Sequence, residues 1–176
     1  MKTIISISLL FVLAGMYSSC SLFDKLDDAK FNAEFTLTFF VNETEVNPSG
    51  KAYFTEQWLN ITDDPDVEEF ADKIKEVKVN RISYFIYGIN KSGVTASDGE
   101  LSITPSRVIA SLPDESLIEG ISGDLVIDQD GFTELGKRLK ANKSELIGLG
   151  GNLSETPMSF FLEATFYVTV TAEALK

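Results

Sequence analysis

Hydrophobic and polar residues alternate with a period of two through most of this chain. In EFTLTFFV, beginning at Glu34, the residues Phe35, Leu37, Phe39 and Val41 fall on one side, and Thr36, Thr38 and Phe40 fall on the other. The C-terminal run is longer: Phe160, Leu162, Ala164, Phe166, Val168 and Val170 face one way, and Phe161, Glu163, Thr165, Tyr167, Thr169 and Thr171 the other. Such alternation is the signature of a strand with two unlike faces. Further strands are predicted over 77–89, 100–104, 107–112, 123–127 and 145–149, separated by Asn90-Lys91-Ser92-Gly93, Pro105, Pro113 and Gly120. Residues 51–60 read as another strand or as an ordered loop.

Two segments carry helical spacing instead. Asp64 as N-cap and Pro65 at the first helical position open one, with Asp66, Glu68 and Glu69 early and Lys73 and Lys75 late, the charge order that a helix dipole favours. Its apolar stripe is Val67, Phe70 and Ile74. The second runs over about 130–141 with Phe132, Leu135 and Leu139 inward and Lys137, Arg138 and Lys140 near its end. Both are too short to stand alone in water and must lie on a sheet. The whole pattern predicts a mainly β protein: an antiparallel two-sheet sandwich of about seven strands with two short helices. Phe85, Tyr87 and Ile89 fall opposite Tyr84 and Ile86, and Phe161 and Tyr167 fall opposite the core face of the last strand. Aromatic residues on both faces mean either that the helices cover part of the outer face, the preferred reading, or that a patch stands open for a partner.

Composition removes several chemistries. The 176 residues are 44% apolar, 24% charged and 11% aromatic, the balance of a folded chain. There is no histidine and one cysteine, Cys20. A Ser-His-Asp or Cys-His centre, an imidazole-ligated zinc and an intrachain disulfide are therefore excluded. Fifteen Lys and Arg against 27 Asp and Glu give a net charge of -12, which disfavours nucleic acid as a partner. The one dense basic group, Lys137, Arg138, Lys140 and Lys143, reads as a solvated helix end.

The chain opens with Met1-Lys2, an apolar run from Ile4 to Met16, and Tyr17-Ser18-Ser19-Cys20. This is a basic region, a hydrophobic region and a small-residue cleavage zone. Thirteen helical residues rise only about 20 Å, short of the roughly 30 Å of a hydrocarbon core, so the segment reads as an export signal. It resembles a bacterial lipoprotein signal, in which the cysteine becomes the acylated N-terminus, with Tyr17 where the family usually carries an aliphatic residue. The resemblance implies that Cys20 is the lipidation site and that attachment to the membrane is through its acyl chains. With Ser21 and no Asp after the cysteine, it also implies the outer membrane. Asp24, Asp27 and Asp28 resemble the acidic surface-export signals of Bacteroidota lipoproteins. The order of strands and helices is similar to that of Bacteroidota lipoproteins with an immunoglobulin-like sandwich, a family that implies a fold and an address without implying an activity. The expected organisation is a signal peptide over 1–19, a lipidated cysteine and tether over 20–32, and a sandwich domain over 33–176.

The remaining candidates are weaker. Asp63, Asp64, Asp66, Glu68 and Glu69 cluster where helix capping explains them. Asp124, Asp128 and Asp130 superficially follow a calcium loop, but Val126 and Lys137 stand where acids are needed, so capping is the better account and no metal is expected. Gly148, Gly150 and Gly151 precede a long strand, not a helix, so they read as a bulge or turn and not as a phosphate loop. Asn42, Asn60, Asn90, Asn142 and Asn152 each begin an N-x-S/T triplet and are read as turn chemistry. Trp58, with Tyr53 and Phe54 nearby, is the best single candidate for a ligand-contact cluster, although core filling is the preferred reading of Trp58. No cofactor is expected. The reading that follows is a lipid-anchored envelope protein with a binding or structural role, its partner an envelope protein or a glycan, and no catalysis; the alternative is a carrier holding a hydrophobic molecule in an apolar pocket of the sandwich.

Overall fold

The computed structural model describes residues 28–103 and 107–173. The expected signal peptide and Cys20 lie outside the described residues. Within them the chain is mainly β, and its strands form two antiparallel sheets. One sheet has the order β1 (Asp28–Asn47), β10 (Thr156–Glu173), β3 (Ile74–Tyr87), β7 (Ser122–Asp124). The other has the order β2 (Lys51–Asn60), β9 (Ser144–Leu153), β4 (Thr95–Ile103), β5 (Arg107–Ser111), β8 (Val126–Ile127), with β6 (Glu115–Ser116) paired to β4. Among the described residues seven strands have five residues or more, and three have two or three.

The inner faces follow the alternation. Phe35, Leu37, Phe39 and Val41 of β1 are buried, as are Phe160, Leu162, Phe166, Val168 and Val170 of β10. They meet Leu59, Leu101, Ile103, Ile109, Ile147 and Leu149 from the second sheet in one apolar cluster. Burying each such side chain contributes about 1.5–3 kcal/mol.

Several boundaries differ from the sequence reading, each for a local reason. β1 begins at Asp28, so residues 28–32, expected in the tether, are strand: Lys30 pairs with Thr171, and the Phe31 ring lies 4.8 Å from that of Phe70. The first helix, α1, spans only Pro65–Glu69. Asp64 does cap it, accepting from the backbone N–H of Asp66 (2.9 Å) and Val67 (3.2 Å). Beyond a single 3-10 turn, however, Ile74 begins β3, because pairing with β10 claims Ile74, Val77 and Val79 for the sheet core. The single strand expected over 123–127 is split: β7 pairs with β3 in one sheet and β8 with β5 in the other, with Leu125 buried at the crossing. The glycines of 148–151 form no turn: β9 pairs with β2 without a break, and the bulge beside them is carried by β4, where the register shifts between Ser97 and Glu100 opposite Gly151. A Cβ on Gly148 would come within 2.8 Å of the Phe54 ring and one on Gly151 within 2.7 Å of the Tyr53 hydroxyl, so these positions are small to admit aromatic neighbours.

The second helix, α2 (Gln129–Asn142), is capped by Asp128, which accepts from Gly131 N–H at 2.6 Å. Phe132, Leu135 and Leu139 are buried as the spacing predicts. The helix lies against β3 of one sheet and β5 and β9 of the other, closing the side of the sandwich between them. Gly136 makes the approach possible, because a Cβ there would lie 2.3 Å from the Val77 carbonyl oxygen. Gly136→Ala is therefore expected to lower stability by about 1–3 kcal/mol through overpacking, although the same change in an open helix adds about 1 kcal/mol. Urea denaturation checks the sign.

Candidate binding surface

Because α2 closes a side of the sandwich, it does not cover the outer face of the first sheet. The preferred expectation, that helices shield the second-face aromatics, is corrected on this point. Register places Phe40 of β1, Phe161 of β10 and Tyr87 of β3 directly opposite one another across three adjacent strands. Their rings stack in a row: Phe40 to Phe161 at 4.7 Å and 24°, Phe161 to Tyr87 at 5.3 Å and 17°. Phe85, two residues back along β3, adds a fourth ring at 5.6 Å from Tyr87. Such pairs contribute about 0.5–1.5 kcal/mol each beyond the area they cover. The end rings stay open, Phe40 at 47% and Phe85 at 41% of full exposure.

Polar groups frame the row. The Tyr87 hydroxyl donates to Glu163 Oε1 at 3.1 Å. Partial desolvation, then that carboxylate, holds the phenol above its ordinary range, so it stays neutral and donating. Beside Phe85 and Glu163 lies a shallow depression of about 390 Å³, bordered by Ser83, Thr165, Ser122 and Asp124. Further along, Arg81 lies 3.9 Å over the Tyr167 ring and donates to Asp124 at 3.3 Å. The outer face thus runs from an aromatic end to a hydrogen-bonded, charged end.

The turn after β3 is built to hold this row. Gly88 has φ of +67°, a left-handed conformation suited to glycine, and a Cβ there would come within 2.9 Å of the Phe161 ring. Glu119 clamps the same turn by accepting from Gly88 N–H and Ile89 N–H, both at 3.0 Å. Those two bonds hold its carboxyl below the ordinary value.

The ligand-contact residues expected from sequence divide between core and surface. Tyr53 is turned into the core at 5% exposure, edge-on to Phe160 at 6.0 Å, and burial pushes its phenol up to about 12. It is not available to a ligand. Phe54 and Trp58 stand on the outer face of the second sheet at 60% and 63% exposure, so Trp58 is no core filler. The Phe54 ring lies over the glycine floor of β9, opposite the core. The row of Phe40, Phe161, Tyr87 and Phe85 was signalled only as aromatics on the wrong parity; the strand pairing that unites them is not written in any one segment.

The core itself is closed. Among the described residues its apolar cleft beside Tyr53, Tyr84 and Phe160 holds about 10 Å³, room for one water at most and far below the 300–1,000 Å³ or so of a ligand pocket. Five of the carboxylates singled out from sequence are engaged structurally: Asp64 and Asp128 cap helices, Asp63 accepts from Asn60, Asp124 pairs with Arg81, and Asp128 and Asp130 both lie 3.5 Å from Arg107.

No family model matches the chain, and no curated protein does. Among solved structures, the crystal structure of decameric BFDV capsid protein aligns over 81% of this chain and 98% of its own, at 10% identity and a TM-score of 0.42. A structure of Desmodium yellow mottle tymovirus aligns over 83% of this chain and 85% of its own, at 8% identity and a TM-score of 0.29. At these scores neither bears on fold or function.

The Glu119 clamp makes a pH prediction. A carboxyl depressed in the folded state stabilises above its unfolded value, and that contribution is lost as pH falls through the folded one. Wild type is expected to melt above Glu119→Gln at about pH 7, with the gap closing towards about pH 3, as thermal unfolding at the two pH values would show.

Proposed function

We propose that this protein is a lipid-anchored component of the cell envelope, held to the outer membrane through Cys20, that binds a protein partner through the outer face of its first sheet and performs no catalysis. The observation that carries the binding half is the four-ring aromatic row left open over a closed core. An interior without room for a ligand argues against the carrier alternative. Contiguous exposed aromatics argue for an interface, since such residues anchor protein contacts at low entropic cost. The rings stack on one another along the row, so they offer their edges and the outer faces of the terminal pair. That suits the apolar side chains of a protein surface better than a flat sugar ring.

The anchor half rests on the first twenty residues. A basic start, a short apolar run and a cysteine after Ser18-Ser19 support acylation at that sulfur. Two or three acyl chains hold a protein on a membrane where one gives only marginal binding, so a strongly acidic domain needs no affinity of its own to remain there. Among the described residues no helix is long and apolar enough to cross a membrane.

Each half has its test. Metabolic labelling with radioactive palmitate is expected to mark the wild type and not Cys20→Ala; an unlabelled wild type removes the anchor. For the surface, a photo-cross-linking amino acid at position 85 is expected to give a discrete protein adduct in intact cells, and the same probe at Val46, exposed but remote from the row, is expected to give none. Equal adducts from both positions, or none from 85, overturn the surface assignment.

A further inference from the structure

On its outer side, the first half of β3 has no strand neighbour, because β7 pairs only with Ser83–Phe85. The space is taken by α2, and between helix and strand a groove of about 380 Å³ remains open. Lys75 and Lys78 line it from the strand, Lys137 and Lys140 from the helix, and Glu76 is the one carboxylate in its lining. Among the described residues Lys78, Lys137 and Lys140 enter no ion pair within 4 Å. In a chain with 27 carboxylates and 15 cations, this is a local reversal of sign. The sequence showed only half of it, the helix end; the strand lysines sit about sixty residues earlier.

We propose that this groove binds a compact phosphate-bearing anion. An ammonium group is a point charge with three rotatable donors, and several around one concavity suit an ion that gathers two or more negative charges within a few ångströms. The remaining acidic surface is screened beyond about 8 Å at physiological salt, so it opposes a long polyanion far more than a compact one. The same phosphate chemistry has two possible sources, a soluble phosphorylated compound and a lipid headgroup. A separate observation bears on the second: Asp28 accepts from Lys75 Nζ at 2.6 Å, so the chain leading back to Cys20 leaves from the rim of the groove. Asp28 lies eight positions after Cys20, a reach of at most about 29 Å. The headgroup source, and only that source, rests on Cys20 being the anchor.

The test uses the full chain carrying Cys20→Ala, so that acylation contributes nothing. Calorimetric titration with inorganic tripolyphosphate is expected to show saturable binding that falls about tenfold or more in Lys137→Glu/Lys140→Glu. Lys78→Gln, on the strand side, is expected to weaken it about threefold with an unchanged melting temperature. Lys91→Glu, whose ion pair with Glu155 lies elsewhere, is expected to leave it unchanged. In parallel, sedimentation with phosphatidylglycerol vesicles against phosphatidylcholine vesicles assigns the headgroup source if the anionic preference is lost in the same double variant. Binding to tripolyphosphate alone assigns the soluble one. No binding to either probe, or equal weakening by Lys91→Glu, overturns the site. Palmitate labelling of the wild type is independent of all these outcomes, so the anchor and the groove can fail separately.

Discussion

β10 is hydrogen-bonded along most of its eighteen residues to β1 on one side and to β3 on the other, and its register determines which face every neighbouring side chain occupies. Eight alternate positions, from Met158 to Ala172, point into the core and are buried. A slip of one residue would turn all of them to solvent and bring Phe161, Glu163, Thr165 and Tyr167 inside, including a carboxylate with no partner there. That asymmetry makes the register unique. It also sets Phe161 between Phe40 and Tyr87, so the aromatic row is a consequence of how the core is satisfied.

The second constraint is volume. The sheets close on Phe39, Phe160 and Phe166 with Tyr53 edge-on to Phe160, and little empty space remains between them. Where large rings must fit beside a strand, the strand gives way: Gly148 and Gly151 of β9 clear room for Phe54 and Tyr53, and Gly136 lets α2 reach the edge of β3. A sandwich packed in this way has surface to offer and no interior. The chemistry on that surface is divided, with stacked aromatics on the outer face of the first sheet and lysines in the groove along its flank.

The elements that depend on local alternation were legible in the sequence. The core parity of β1 and β10, the inward placing of Tyr84 and Ile86 in β3, the capping of α1 and the buried stripe of α2 follow from residue spacing alone, whereas the switch of β3 from Val77 and Val79 to Ile82, Tyr84 and Ile86 comes from a register shift at Asn80 against β10. Features set by distant partners were not legible. Ile74 fits a helical stripe after Val67 and Phe70, and only its pairing beside β10 shows it to be strand. Leu125 sits in a plausible continuous strand until β3 and β5 each take half. Tyr53, Phe54 and Trp58 read as one cluster because they are close in sequence, whereas strand parity sends Tyr53 inward and the other two outward. The aromatic row lay in plain view as misplaced aromatics, but its unity requires knowing that 40, 161 and 87 share a row. The expectation that helices would cover those rings failed because α2 spans the gap between sheets, where Phe132, Leu135 and Leu139 find more apolar surface than an outer face provides.

The parity of the strands that carry the row decides which side chains face solvent, and thiol accessibility tests it directly. With Cys20→Ala removing the native thiol, Phe85→Cys and Ile86→Cys place single sulfurs at adjacent positions of β3. Phe85→Cys is expected to react with a water-soluble maleimide at nearly the rate of the denatured chain, and Ile86→Cys about a hundredfold more slowly, its reaction waiting on local opening. Comparable rates at the two positions, or faster reaction at 86, would contradict the structure described.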